Sequence, residues 1–326
     1  MRDSTTVIIP NYNGMQFLET CLDSLGRQTY RNFRILVVDN GSTDGSAAWL
    51  KEQESDRLSV ICLSENTGFA AAVNTGIRAS KTRYVLLLNN DVRADERFVE
   101  ELVRAIGKSK RIFSAASKMI RMYEPDRMDS AGDLYTCVGW AFNRGTGEPV
   151  EAYDQPCDVF SACAGAAIYR REAFDRIGLF DERHFAYLED IDVGYRARIF
   201  GFRNVYAPRA VVWHVGSGTS GSKYNAFKVR LTARNNVWLN YKNMPAPQLA
   251  LNALPIACGI FVKGVFFQKM GFGKEYRQGL AEGLRTRRDC EKVPFRARAL
   301  PRYARIEGEL ILNFARYIAQ QLRKRR

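Results

Sequence analysis

The chain has 326 residues, 46% hydrophobic, 12% aromatic and 26% charged, which is enough apolar material for a packed core and excludes a disordered tail. Its 49 Lys and Arg outnumber 35 Asp and Glu unevenly: residues 1–192 carry 23 basic and 29 acidic side chains, residues 193–326 carry 26 and 6, and no acid lies between Asp192 and Glu275. Seven scattered cysteines without a CxxC pair exclude a zinc cluster and a disulfide framework, and residues 1–6 lack a basic, then apolar, leader, so a reducing cytoplasmic setting is expected.

Over the first hundred residues short apolar runs alternate with amphipathic stretches, the pattern of β/α units on a parallel sheet. Strands are predicted at 6–9, 34–38, 58–62 and 84–88. They are rich in Val, Ile and Leu without polar alternation, as suits a sheet covered on both faces. Helices are predicted at 16–25, 44–54, 69–79 and 95–106. Each strand ends in a small polar cluster: Pro10-Asn11-Tyr12-Asn13-Gly14, Asp39-Asn40-Gly41-Ser42, Glu65-Asn66-Thr67-Gly68 and Asn89-Asn90-Asp91. Any one of these is as readily a turn or a helix cap. Four together, with an acid at three, favour a ligand site beyond the carboxyl ends of the strands.

From 111 to 160 the pattern weakens and predicts irregular or short-strand structure. A small-residue stretch, Cys163-Ala164-Gly165-Ala166-Ala167, and a short helix at 170–177 follow. The acidic knot Tyr187-Leu188-Glu189-Asp190-Ile191-Asp192 then enters a helix reaching about Phe200, with Ile191, Tyr195 and Ile199 four apart. At about 100° per residue the three acids cannot share a face, so one is free to enter a cleft while another caps the helix or pairs with an arginine. Arg196 and Arg198 are candidates for those carboxylates or for a phosphate. One more strand is expected at 210–213, ending at His214, and His184 is expected at the surface. Residues 216–221 match GxGxxG but lack the acid about twenty residues on that a dinucleotide requires, so 216–222 is read as a loop that closes over a ligand.

Residues 249–262 are apolar apart from Asn252, and Pro255 and Lys263 are read as interruptions, which suits an interfacial segment; a buried hairpin is the alternative. Ile306, Leu310, Phe314, Ile318 and Leu322 recur every four residues among arginines, predicting a basic amphipathic helix. Such a helix either docks on an anionic membrane surface or packs on the rest of the chain. No GxSxG supports a serine hydrolase, no set of long apolar spans or QxxRW supports a processive membrane synthase, and no known module supports a nucleic-acid partner for the basic half.

The ordered series Val7-Ile8-Ile9-Pro10-Asn11-Tyr12-Asn13, Val37-Val38-Asp39-Asn40-Gly41-Ser42, Glu65-Asn66-Thr67-Gly68, Leu87-Leu88-Asn89-Asn90-Asp91 and Leu188-Glu189-Asp190-Ile191-Asp192 resembles family 2 glycosyltransferases, and within them the bacterial rhamnosyltransferase-like branch. The resemblance covers roughly residues 5–240 and implies an α/β GT-A, Rossmann-like domain over residues 1–240, while the apolar segment and basic helix above mark 241–326 as a basic helical, membrane-associating extension. It implies inverting transfer of one sugar from a nucleotide-sugar donor, with dTDP-rhamnose suggested by the branch, to a glycan or polyprenyl-linked acceptor at the inner face of the cytoplasmic membrane. Pro10, Tyr12, Asn13, Asp39, Gly41 and Ser42, with Asn66, Gly68 and Asn90, would line the nucleotide pocket, Asp39 accepting the N3–H of a pyrimidine. Asp91 and His214 would hold Mg2+ or Mn2+. Asn89 is neutral at the first acidic position of the family's DxD pattern, which also leaves open a catalytically silent nucleotide-sugar binder. Asp190 is the expected general base, with Glu189 as the alternative.

Overall fold

The structure, a computed structural model, describes residues 4–216 and 224–323. It opens with β1 (Thr5–Asn11), α1 (Met15–Gly26), β2 (Phe33–Asp39), α2 (Ser46–Glu52), β3 (Leu58–Cys62), α3 (Phe69–Ala79) and β4 (Tyr84–Leu88). β1 pairs in parallel with β2 on one side and β4 on the other, and β2 pairs with β3. The chain therefore reverses its direction of travel across the sheet between β1 and β4, and the tips of those two strands bound the natural ligand crevice of an open α/β sheet. Successive residues of β1 point to opposite faces: Val7 and Ile9 pack with α1 and with the next helix described, while Ile8 packs with α3. Gly76 lets α3 come so close that an added Cβ would lie 2.5 Å from Ile8.

Beyond β4 come β5 (Val92–Ala94), α4 (Phe98–Gly107), β6 (Ile112–Arg121), β7 (Glu124–Ser130), β8 (Asp133–Tyr135), β9 (Ala141–Asn143), β10 (Cys157–Val159), β11 (Ala166–Arg170), α5 (Arg171–Ile177), α6 (Glu189–Ile199) and β12 (Arg203–His214). The full sheet runs β10-β12-β6-β11-β4-β1-β2-β3, with β5 on β12 and β7 on β6, and β8 and β9 form a separate hairpin. The expectation of irregular or short-strand structure over 111–160 fits β7 to β10 and is corrected at β6, a ten-residue strand buried along nearly its whole length. Its polar residues hide the pattern because each finds a distant partner, Ser114 donating to Asn204 and Ser117 to the Ala166 carbonyl (both 2.8 Å).

The chain ends in α7 (Ala226–Asn243), α8 (Ala246–Lys269), α9 (Gly273–Thr286) and α10 (Leu300–Arg323). Two expectations are corrected here. Pro255 does not break the apolar segment, because α8 runs through it for 24 residues. The four-residue apolar row of α10 is split: Ile306 and Leu310 join a core with Tyr135 and Tyr195, and Phe314 meets Trp140, whereas Ile318 and Leu322 are exposed. Residues 217–223, most of the predicted closing loop, and 324–326 lie outside the described residues.

Candidate active site

The strand tips are tied together by one side chain. Asn11, at the end of β1, donates to Asp39 Oδ1 at 2.8 Å and to Ser46 Oγ at 2.9 Å, and its own Oδ1 accepts from Asn90 at 2.7 Å. Asp39, 1% exposed, also accepts the Ser42 amide through Oδ2. Asn40 does the same for the next tip, donating to Asn66 and the Gly68 carbonyl and accepting from the Thr67 amide and hydroxyl. Gly14 and Gly41 are required by this closeness: an added Cβ would meet Asn90 Nδ2 at 1.9 Å and the Glu65 backbone at 2.6 Å. Around this buried frame Pro10, Tyr12, Gly41, Ser42 and Asn66 are half-buried and Asn13 is exposed, so they border the opening.

Asp91 lies one residue past Asn90, buried beside His214. Their Oδ1 and Nε2 are 3.2 Å apart, and His214 Nδ1 is 2.8 Å from Asp129 Oδ2. Pairing of β12 with β5 brings His214 opposite Val92, which explains the meeting. Burial works against charge on the ring, but hydrogen bonds to Asp129 and Asp91 outweigh it and raise His214 to about 10. An oxygen and a nitrogen donor this close, backed by a second carboxylate that orients the imidazole, would suit a divalent cation that displaces the Nε2 proton.

The acidic knot is linked to these strand tips. The Asn89 backbone amide donates to the Gly165 carbonyl at 2.8 Å, and Cys163 and Ala164, just before it, lie against Asp190. One ligand atom each of Asp190, Asp133 and Cys163 fall within 4.8 Å of one another. Burial, then the Asp190 carboxylate, push Asp133 well above the usual carboxylate range, which favours one proton shared by this acid pair. Burial also raises Asp190, opposed by hydrogen bonds from the Ile191 amide (2.7 Å) and Asp133. Glu189 is buried with Oε2 unpartnered among the described residues, and burial and Asp190 push it well up.

Asp192 behaves in the opposite way. It accepts from Arg196 at 2.8 Å, Lys242 at 3.0 Å and Asn243 at 2.7 Å. Burial opposes its charge, yet Arg196 and Lys242 hold it far below the ordinary range. Arg196 and Arg198 therefore serve carboxylates and backbone carbonyls: Arg198 bonds Glu309 at 2.8 Å and the carbonyls of Val159 and Phe160.

The loop before the knot is strained, with positive φ at Phe185 (62°), Tyr187 (72°) and Leu188 (67°). Asn235 of α7, fully buried, donates to the carbonyls of His184, Ala186 and Tyr187 at 2.9–3.0 Å and holds it. The expected surface position of His184 is corrected: the ring is fully buried beside Trp238, neither nitrogen has a partner among the described residues, and burial lowers it to about 4 despite Asp192 and Asp181. Sequence reasoning missed Asp129, Asp133, Cys163 as a neighbour of the acids, and Asn235. The first two stand in the stretch read as irregular, where an acid looks like any solvated residue.

The family model described as glycosyl transferase family 2 matches residues 6–178. The chain is 29% identical over 248 residues to the N-acetylglucosaminyl-diphospho-decaprenol L-rhamnosyltransferase of Mycobacterium tuberculosis, covering 68% of this chain and 79% of that protein. It is 41% identical over 105 residues to glycosyltransferase GlyA of Streptococcus pneumoniae, covering 32% of this chain and 15% of GlyA. Among solved structures, that of GalNAc-T7 with UDP, GalNAc and Mn2+ matches with a TM-score of 0.60 at 17% identity, over 73% of this chain and 47% of the other. At that identity the likeness is one of fold, the GT-A arrangement.

Proposed function

This chain belongs to glycosyl transferase family 2, and from that premise we propose that it transfers one sugar, with inversion, from a nucleoside diphosphate donor to a lipid-linked acceptor. Rhamnose is the sugar that the mycobacterial relative's name favours, with dTDP-rhamnose as the donor the sequence resemblance implies, and a diphospho-polyprenol glycan is the acceptor class. The observation that carries the reading is the continuous run of contacts from Asp39 through Asn11 and Asn90, and from Asn89 through Gly165, to the acid pair of Asp190 and Asp133.

Pro10, Tyr12, Asn13, Asp39, Gly41, Ser42, Asn66, Gly68 and Asn90 form the nucleotide side of the hollow. Asp39 accepts from Asn11 and Ser46 through Oδ1 and from the Ser42 amide through Oδ2, which keeps a further lone pair for a base N–H. Asp91 and His214 would hold Mg2+ or Mn2+, which when bound neutralises charge on the departing diphosphate. Asp190 is the base. A hydroxyl is a poor nucleophile at neutral pH, so its oxygen attacks the anomeric carbon as its proton passes to the Asp190 carboxylate and the carbon–oxygen bond to the diphosphate breaks on the opposite face. The raised pKa of Asp190 suits proton acceptance, and one proton shared with Asp133 keeps a second charge off the pair.

The test is release of nucleoside diphosphate from a panel of nucleotide sugars, with Mn2+ or Mg2+, in the presence of a short-chain diphospho-polyprenol acceptor. Acceptor-dependent release from one donor, with a product of inverted configuration, is expected. Tight donor binding without release from any donor would favour the silent binder, for which the neutral Asn89 is the supporting observation.

A further inference from the structure

Helix α8 is apolar on its outer face as well as its inner one. Its inward positions include Gln248 and Asn252, 7% and 1% exposed, both donating to Glu307 of α10 at 2.8 and 2.9 Å. Further along, Trp140 donates to the Gly259 carbonyl at 3.1 Å, Lys263 lies over the Trp140 ring, and Phe267 packs on Tyr276. Leu249, Ile256, Ile260 and Phe267 also pack inward, yet the outward positions are apolar as well: Leu251, Leu254 and Phe261 are 65%, 73% and 72% exposed, and no charged residue falls between 243 and 262. A surface helix in water turns a polar face outward.

Helix α10 continues this surface. Ala304, Gly308, Ile311, Ala315, Ile318 and Leu322 are all exposed. At about 100° per residue they form one stripe on the flank next to Glu307, and Glu307 faces α8. On the next flank stand Arg305, Arg316 and Arg323, and Lys269, Lys274 and Arg277 are exposed at the far end of α8. An apolar strip is therefore rimmed by cations, in a half of the chain with 26 basic and 6 acidic residues.

We propose that α8 and this stripe of α10 form an in-plane membrane face, the outer side chains entering the acyl region of an anionic bilayer and the rim cations lying at lipid phosphates. This deepens the proposed use of a lipid-linked acceptor and rests on it for its purpose. The alternatives fit less well. At 24 residues α8 is long enough to cross a bilayer, but its inner face is bonded to the body of the protein from Gln248 to Phe267, so lipid cannot surround it. A second copy on the same face would set like-charged rims against each other. A bilayer with acidic headgroups meets the apolar strip and the rim together.

Cys258 points outward from α8 and Cys62 is exposed on the edge strand β3, so the chain carries its own probe and control. With Cys62→Ser, an environment-sensitive fluorophore on Cys258 should shift to the blue on addition of phosphatidylglycerol/phosphatidylcholine vesicles and be quenched by brominated acyl chains, and high salt should weaken this without abolishing it. The same label on Cys62 in a Cys258→Ser chain should not respond. Leu254→Glu with Phe261→Glu should lower vesicle partitioning by roughly 100-fold or more, leaving transfer to a water-soluble short-chain acceptor intact. A Cys258 label that ignores vesicles, or one already shielded in a dimer without them, overturns the proposal. Transfer to the soluble acceptor reports separately on the glycosyltransferase reading, so either can fail while the other stands.

Discussion

Helices α4 and α8 turn opposite kinds of side chain outward. α4 buries Phe98, Val99, Leu102 and Ile106 against the sheet and turns out Glu100 and Arg104, paired at 3.0 Å. α8 buries Gln248 and Asn252 and turns out Leu251, Leu254 and Phe261. Because side chains partition toward the medium that solvates them, the outer face of α4 suits water, and that of α8 suits the apolar phase proposed for it. The difference teaches a division of labour: the strand-tip hollow should work on any acceptor that reaches it, and the apolar strip should decide only which acceptors do.

The sharpest way to break that division is Asp190→Asn. Loss of a positioned base should lower transfer roughly 1000-fold, equally for a soluble and a vesicle-held acceptor, with donor affinity by calorimetry unchanged. A defect confined to the vesicle-held acceptor would move Asp190 from chemistry to docking. Two residues on, Asp192→Ala attacks the joint between the halves, since Asp192 ties α6 to Lys242 and Asn243 of α7. Removing one member of a buried ion cluster should cost about 3–5 kcal/mol of folding stability, read by denaturant unfolding. A stable Asp192→Ala chain that has lost only transfer would show that this acid serves the reaction instead.

How much of this was legible in the sequence follows the same division. Strands at 58–62 and 84–88 and the helix at 69–79 fall on their observed bounds, and the other early elements differ by one to three residues, because unbroken apolar runs between turn residues are locally decided. The tip residues were legible for the same reason: Asn11, Asp39 and Asn90 stand where strands end. β6 was not, since Lys118 looks like a solvent residue until Asp154 is found beside it. Asp133 and Asp129 gain meaning only from partners on other elements, Asp190 and His214. The apolarity of α8 was plain, but whether it faced inward depended on Glu307, 55 residues beyond Asn252.

Between pH 6.5 and 4, His184 offers a finer probe of the joint. Its folded pKa of about 4 lies below the unfolded value of about 6.5, so the unfolded chain binds the extra proton in that window. Its contribution is present above pH 6.5 and is lost as pH falls toward 4, by about 3 kcal/mol. Asp181, Asp192, Lys242 and Arg196 act on the ring, and Asp181 and Asp192, held far below the usual carboxylate range, stay ionised throughout, whereas the raised Asp133 and Glu189 titrate in the opposite sense. The comparison that isolates the imidazole is therefore His184→Phe against the parent chain: the variant should gain relative stability as pH drops through the window. Parallel stability curves would place the ring in contact with solvent or with a proton acceptor.

The smallest effect sharpens the comparison most, because it asks whether the helical half contributes anything to chemistry. Asn235 belongs to α7, yet its amide holds the carbonyls of His184, Ala186 and Tyr187 just ahead of Glu189 and Asp190. Without those bonds the positive-φ residues Phe185, Tyr187 and Leu188 have less to keep them in a costly conformation, and the knot can relax by a fraction of an ångström. Asn235→Ala should then lower kcat by about 10-fold, as expected when a reacting group is held less well, while the donor KM stays put because the strand tips are untouched. If kcat and donor KM move together, or if only the melting temperature falls, Asn235 is part of the core and the helical half ends its work at the membrane face. If kcat alone falls, the two halves meet at this amide, and the division of labour holds everywhere except there.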